Sequence, residues 1–288
     1  MRGRGRPAPL VCAAMRQLKS RARDVSAVVL VSLYVMPLLW WGLSAFTPAD
    51  ALLDIARMLQ LDFTPTLSNF ALVILGVEGT IFDSRQSLVD STSVALLSSA
   101  IVLLTATPMA YALSQMTFRG STTLRRTVIL QRFLPPIAIV FPLVGLYHGW
   151  GLLDTRLGVA LAHAALNLPF AVLLLKSFFD DVPHEVSEAA RLDGASRGET
   201  FLHVVLPLMK GGLATTAILC FIFSWTEFLL SLFLTQNMRL MPVQAGVLIM
   251  NMWGLISALT TTALVPAFIF VLIVQKHLVR GLTLGIYR

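Results

Sequence analysis

The 288-residue chain is 56% hydrophobic and only 13% charged, with a formal net charge of +7. Soluble domains of this size carry about twice that share of charge, needed to cover a single core, so a water-soluble globular protein is excluded. With two cysteines, Cys12 and Cys220, the chain has no spacing for a thiolate metal site and no basis for a disulfide scaffold.

The charges that exist are bunched. Residues 1–24 form a basic tail (RGRGRPAP, then RQLKSRAR), read as a solvated cytoplasmic segment able to touch anionic membrane lipid. The apolar run Val25–Phe46 that follows is too long for a secretory signal core and predicts a retained first span near 26–46. A helix needs about 20 apolar residues to cross a hydrocarbon core of about 30 Å. By that measure five further spans are expected near 90–114, 128–149, 156–178, 211–234 and 256–276. The fold expected is all-α, a polytopic membrane protein of about six helices, with 25–288 as one membrane domain. Prolines within the spans (Pro37, Pro108, Pro135, Pro136, Pro142, Pro169 and Pro266) predict kinks or breaks.

Orientation follows from the basic residues. Eighteen of the 22 Lys and Arg fall in 1–24, 115–132, 176–210 and 276–288, leaving Arg57, Arg85, Arg156 and Arg239 for the other side. The positive-inside bias therefore predicts that both termini are cytoplasmic. The loop 47–89, with Asp50, Asp54, Asp62, Glu78 and Asp83, is then external. Because the net positive charge is a topology signal, it is no indication of nucleic-acid binding. Cys12 lies on the inner side and Cys220 within the fifth span.

Residues 180–209 are the least membrane-like part of the chain after the tail. Asp180, Asp181 and Pro183 suit the start of a helix, and Val182, Val186, Ala189 and Ala190 form an apolar stripe. Glu185, Glu188 and Arg191 fall on the opposite side. Gly194 stands where a helix end needs a left-handed residue, and Ser196 with Glu199 forms a capping box for a second helix. In that helix Phe201, Val204, Val205 and Leu208 repeat the apolar spacing, and Pro207 falls near its end. A solvated hairpin joining two spans would show the same periodicity.

The exact string narrows the choice. Glu188-Ala189-Ala190, three residues, Gly194, nine residues, then Val204-Val205-Leu206-Pro207 resembles the EAA loop of importer-type ABC transporter permeases. The one departure is Val204, where the family pattern has Ile. The resemblance extends over about 88–288. RFLPP (132–136), LPFAVLLLKSFF (168–179), SWTEFLLSLFLT (224–235) and QKHLVRGLT (275–283) resemble the carbohydrate-uptake branch, in particular its smaller maltose-type permeases. The final LGIYR and the first 25 residues depart from the family's pattern.

The resemblance implies a permease subunit in the inner membrane of a bacterial cell, importing a sugar or oligosaccharide; a polyamine or glycerol phosphate permease is the alternative. It implies four kinds of partner: a second, different permease subunit, two ATPase subunits, an extracytoplasmic solute-binding protein and membrane lipid. It also implies that Glu188, Ala189, Ala190, Asp193, Gly194 and Pro207 couple the chain to the ATPase.

The residues also argue against rival chemistries. No G-x-x-x-x-G-K-S/T occurs, so the chain itself binds no ATP and needs no cofactor; ATP belongs to the partner. His184-Glu185 begins like a zinc-protease signature, but Glu188 stands where the second His is required. A membrane-embedded enzyme would need clustered acids or histidines in its spans, where only Glu227 and His163 occur. Glu227 is expected about 25 Å along the fifth helix, at about 1.5 Å per residue from Lys210. A carboxylate at that depth must face a wet pathway or a partner helix, which makes Glu227 a candidate pathway residue. His163 is expected to make local hydrogen bonds.

Overall fold

The computed structural model describes residues 9–48, 64–75, 84–247 and 253–284. Asp50, Asp54, Arg57, Asp62, Glu78 and Asp83, the first eight residues and the last four lie outside these. No strand occurs among the described residues. The helices are α1 (Pro9–Ala45), α2 (Ser68–Leu75), α3 (Ser84–Gln115), α4 (Ser121–Gln131), α5 (Pro136–Trp150) and α6 (Arg156–Asp180). They continue as α7 (His184–Leu192), α8 (Arg197–Leu208), α9 (Lys210–Thr226), α10 (Leu229–Leu234), α11 (Met241–Val247) and α12 (Trp253–Leu284).

Four helices contain a segment long and apolar enough to cross a membrane: Arg23–Ala45, Ser84–Gln115, Arg156–Asp180 and Trp253–Ile273. The expected six is reached only by counting two bent pairs as one span each. The span expected at 128–149 is not one straight helix, because α4 and α5 meet at 99° across the break at Arg132–Pro135. Pro136 opens α5, where its missing N–H costs nothing, and Pro135 in extended backbone cannot continue the preceding helix. The second bent pair is α8 with α9, which meet at 76°, and the span expected at 211–234 is corrected as well. α9 stops at Thr226, and a separate helix starts at Leu229.

The chain divides into two compact units, residues 1–70 with 252–258 and residues 71–251 with 259–288. In the first, α1 exposes Val28, Leu30, Leu33, Tyr34 and Leu38, a surface only lipid or another apolar helix can cover. Its C-terminal end is closed by Asn69, whose Nδ2 donates to the Ala45 and Thr47 carbonyls at 3.0 Å each. Trp41 meets Trp253 edge-on at 6.2 Å.

In the second unit α3, α6 and α9 form the core. Their contacts use small side chains: Ala106 and Ala110 of α3 and Ala164 and Ala171 of α6 are buried together with Val102, Val172, Leu175 and Cys220. Helices of similar polarity to lipid gain little from hydrophobic burial, so close approach through Ala and Gly supplies the packing energy instead. A second cluster joins Val94 of α3, Val140 and Tyr147 of α5, Val159 and Ala162 of α6, and Leu230 and Leu234 of α10.

Candidate functional site

The loop singled out in the sequence folds as two short helices. α6 runs on to Asp180, where Lys176 holds the carboxylate at 2.6 Å, so Asp180 ends the membrane helix and does not open the loop helix as expected. Pro183, in extended backbone, precedes α7. Gly194 has φ +92°, the left-handed conformation expected of it, and its N–H bonds the Arg191 carbonyl. The capping box is also present: Ser196 N–H donates to Glu199 Oε2 at 2.8 Å, and Glu199 N–H donates to Ser196 Oγ at 3.3 Å. α8 differs from a regular helix, since Thr200–Val205 form a π turn before Pro207.

Five contacts tie the end of α3 to the end of α6 and to the hairpin. Gln115 Nε2, at the end of α3, donates to the carbonyls of Phe179 and Val182, and Ser114 Oγ donates to Asp180. The Tyr111 ring packs on Phe179 at 5.7 Å and on Phe201 at 4.7 Å. Val182 and Phe201 therefore face inwards, as the apolar spacing predicts.

The predicted site residues take different positions on this hairpin. Glu188, Ala189, Asp193, Gly194 and Pro207 are exposed and Ala190 is half-buried. One residue that sequence reasoning missed is Leu192, 88% exposed at the end of α7. It stands four residues after Glu188, on the charged face and not on the apolar stripe, so the periodicity did not single it out. At the tip the apolar Leu192 is flanked by the charged Glu188, Arg191 and Asp193, all exposed.

Glu227 lies apart from the loop, at the break between α9 and α10, and not on a continuous fifth helix. Its backbone is extended, with ψ 120°. Its carboxylate accepts the Leu230 N–H at 3.0 Å and the Ser231 N–H at 3.1 Å, capping α10. The same carboxylate lies 3.1 Å from Nε2 of His163 on α6, and His163 Nδ1 lies 2.8 Å from Ser224 Oγ. The Glu227 carboxylate is therefore satisfied within this chain, by a partner, His163, that no local spacing points to.

Comparison with known proteins places this architecture. The family of binding-protein-dependent transport system inner membrane components matches residues 103–284. The trehalose transport system permease protein SugB of Mycobacterium tuberculosis is 32% identical over 266 residues, covering 89% of this chain and 93% of that protein. The trehalose/maltose transport system permease protein MalG of Thermococcus litoralis is 27% identical, covering 91% and 94%. In structure, a chain of a bacterial ABC transporter involved in import of the acidic polysaccharide alginate shares the fold. Its TM-score is 0.73 at 21% identity, over 90% of this chain and 96% of that one. A multi-pass helical chain whose EAA-type hairpin projects from a small-residue core thus belongs to the inner membrane components of binding-protein-dependent ABC importers, and it is a transport subunit, not an enzyme.

Proposed function

We propose that this chain forms half of the translocation pathway for a sugar or short oligosaccharide, and that its α7–α8 hairpin carries the thrust of ATP hydrolysis into the membrane. As an inner membrane component of such a system it works with a permease partner, an ATPase and a solute-binding protein. The finer reading is a pair of unlike permeases over two ATPase subunits, with both termini on the cytoplasmic face. The positive-inside distribution supports that orientation, and the names of the trehalose and maltose permease relatives support the substrate class.

The observation that carries the coupling role is the exposed, rigidly based tip at Glu188–Gly194. Among the described residues its groups are left exposed except at the half-buried Ala190, while its base is held by Tyr111, Gln115 and the Phe179 carbonyl. A rigid base transmits displacement of the tip to α3 and α6; a flexible one would absorb it. Two measurements test the reading. A thiol introduced at Ala190 should cross-link to the ATPase in the intact complex, and a thiol at Asp62 should not. Cells carrying the whole system should take up labelled trehalose or maltose, and lose that uptake when this chain is deleted. Free labelling of the Ala190 thiol from outside the cell would reject both the orientation and the coupling role.

A further inference from the structure

The break between α9 and α10 has an unusual cause. Sharp breaks in membrane helices normally sit at Pro, at Gly or Ser pairs, or where a side chain enters the hydrogen-bond ladder. Here the residues at the break are Thr226, Glu227, Phe228 and Leu229, with neither Pro nor Gly among them. Nothing in this local sequence forbids a continuous helix. In a continuous helix the N–H groups of Leu230 and Ser231 would bond the carbonyls of Thr226 and Glu227. Instead both N–H groups donate to the Glu227 carboxylate. The side chain has replaced the backbone as acceptor.

That replacement depends on one residue of another helix. His163 is fully buried on α6, about 10 Å along it from Arg156 at about 1.5 Å per residue. Its Nε2 faces Glu227 Oε2 at 3.1 Å and Ser231 Oγ at 3.2 Å, and its Nδ1 faces Ser224 Oγ at 2.8 Å. The Ser231 hydroxyl proton is directed to Glu227, to its carbonyl oxygen at 3.0 Å or to Oε2 at 3.3 Å. With the carboxylate ionised and the ring neutral, the hydrogen shared between them sits on Nε2, and Nδ1 then accepts from Ser224. One imidazole thus ties together the last turn of α9 (Ser224), the break itself (Glu227) and the first turn of α10 (Ser231).

We propose that His163 is a positioning residue of the transport cycle, latching Glu227 so that α9 and α10 stay broken in one state and join into a straighter helix in another. A membrane carboxylate needs donors wherever it goes. In the broken state it has two backbone N–H groups and the imidazole. On release the two N–H groups return to the helix ladder, and the carboxylate, already 15% exposed, turns to water in the pathway. The two states exchange one set of hydrogen bonds for another, which is what a bistable element requires. The Leu230 and Leu234 side chains, buried against Val140 and Tyr147 of α5, would move with α10 and open that seam.

The test uses the full chain in lipid nanodiscs, with spin labels at T215C and F233C and with Cys12 and Cys220 replaced. Eighteen residues of straight helix separate such labels by about 27 Å, and a broken helix brings them closer. The wild type should show the shorter separation as its main population. H163A should move the distribution towards the straight-helix value, E227A should do the same, and the double variant should go no further than either alone. H163Q, which keeps an N–H donor, should restore most of the short population. In cells carrying the whole system, H163A should lower maximal uptake about tenfold with little change in half-saturation, as expected when a conformational step limits turnover. Unchanged distances in H163A, additive shifts in the double variant, or no rescue by H163Q would overturn the latch. The distance readout requires no uptake, so it stands or falls separately from the choice of substrate.

Discussion

Arg156 and Asp90 join the N-terminal ends of α6 and α3: Nε and Nη2 of the guanidinium each lie 2.7 Å from one carboxylate oxygen. The two partners are unequal. Asp90 is 5% exposed at its side chain, whereas Arg156 is 48% exposed. Gln86 adds a third donor to the same oxygen at 3.1 Å. Removing Arg156 strands a buried carboxylate; removing Asp90 merely frees an arginine into solvent.

Arg156→Ala should therefore destabilise the protein by about 2–3 kcal/mol, reduced from the fully buried case because water reaches the guanidinium. Pairing it with Asp90→Asn should recover part of that loss. Thermal unfolding of the purified chain in detergent measures both. A double variant as unstable as the single would show that the pair itself supplies the stability.

Asp154 gives a pH dependence. It holds φ +57°, and its carboxylate accepts the N–H groups of Gln236, Asn237 and Met238 and the Asn237 side-chain amide. Partial burial opposes the charge, but these four donors outweigh it and hold the carboxyl below its ordinary range. A lowered folded-state value means the stabilisation is complete above the unfolded value of about 4 and is lost as pH falls through the folded one. Unfolding temperatures should show no Asp154 effect between pH 8 and 5, and a loss below about pH 4 that Asp154→Asn lacks. Asn tolerates the left-handed backbone, so that variant isolates the charge.

Gly212 of α9 has no room for a side chain. An added Cβ would lie 2.8 Å from Cγ and 3.1 Å from Cβ of Phe178 on α6. Gly212→Val should cost about 1–3 kcal/mol by overpacking the α6–α9 contact. Faster proteolysis and a lower unfolding temperature are the expected readouts. Gly194 is the contrasting case, with nothing within 4 Å of an added Cβ. Gly194→Ala should cost about 1 kcal/mol from backbone strain alone.

At the tip, Leu192→Ser should weaken ATPase binding about tenfold to a hundredfold, the value of one buried leucine at about 1.5–3 kcal/mol. Gly194→Asp should reduce coupling, since it reorients both helices of the hairpin. Glu188→Gln should do less than either, because a single exposed charge contributes little. Titration of the purified ATPase against each variant ranks them, and a Glu188 variant weaker than Leu192→Ser would reverse the expected order.

What the sequence determined by itself is local. Charge-free runs give the membrane class because hydrocarbon accepts no unpaired charge, and the bunched arginines carry the orientation signal. The hairpin was legible down to Gly194 and the Ser196–Glu199 box because turns and caps are made by residues three to six apart. Leu192 was not legible: it stands four residues after Glu188, on the face where the periodicity expects charged groups. The 99° turn before α5 was only half legible: Pro135 and Pro136 announce a break but set no angle. The break at Glu227 was not legible at all. Helical propensity runs unbroken from Thr226 to Leu229, and the competing contact comes from His163, 64 positions earlier. Only packing α6 against α9 and α10 puts an imidazole beside that carboxylate, and in a medium without water that one contact decides where the helix stops.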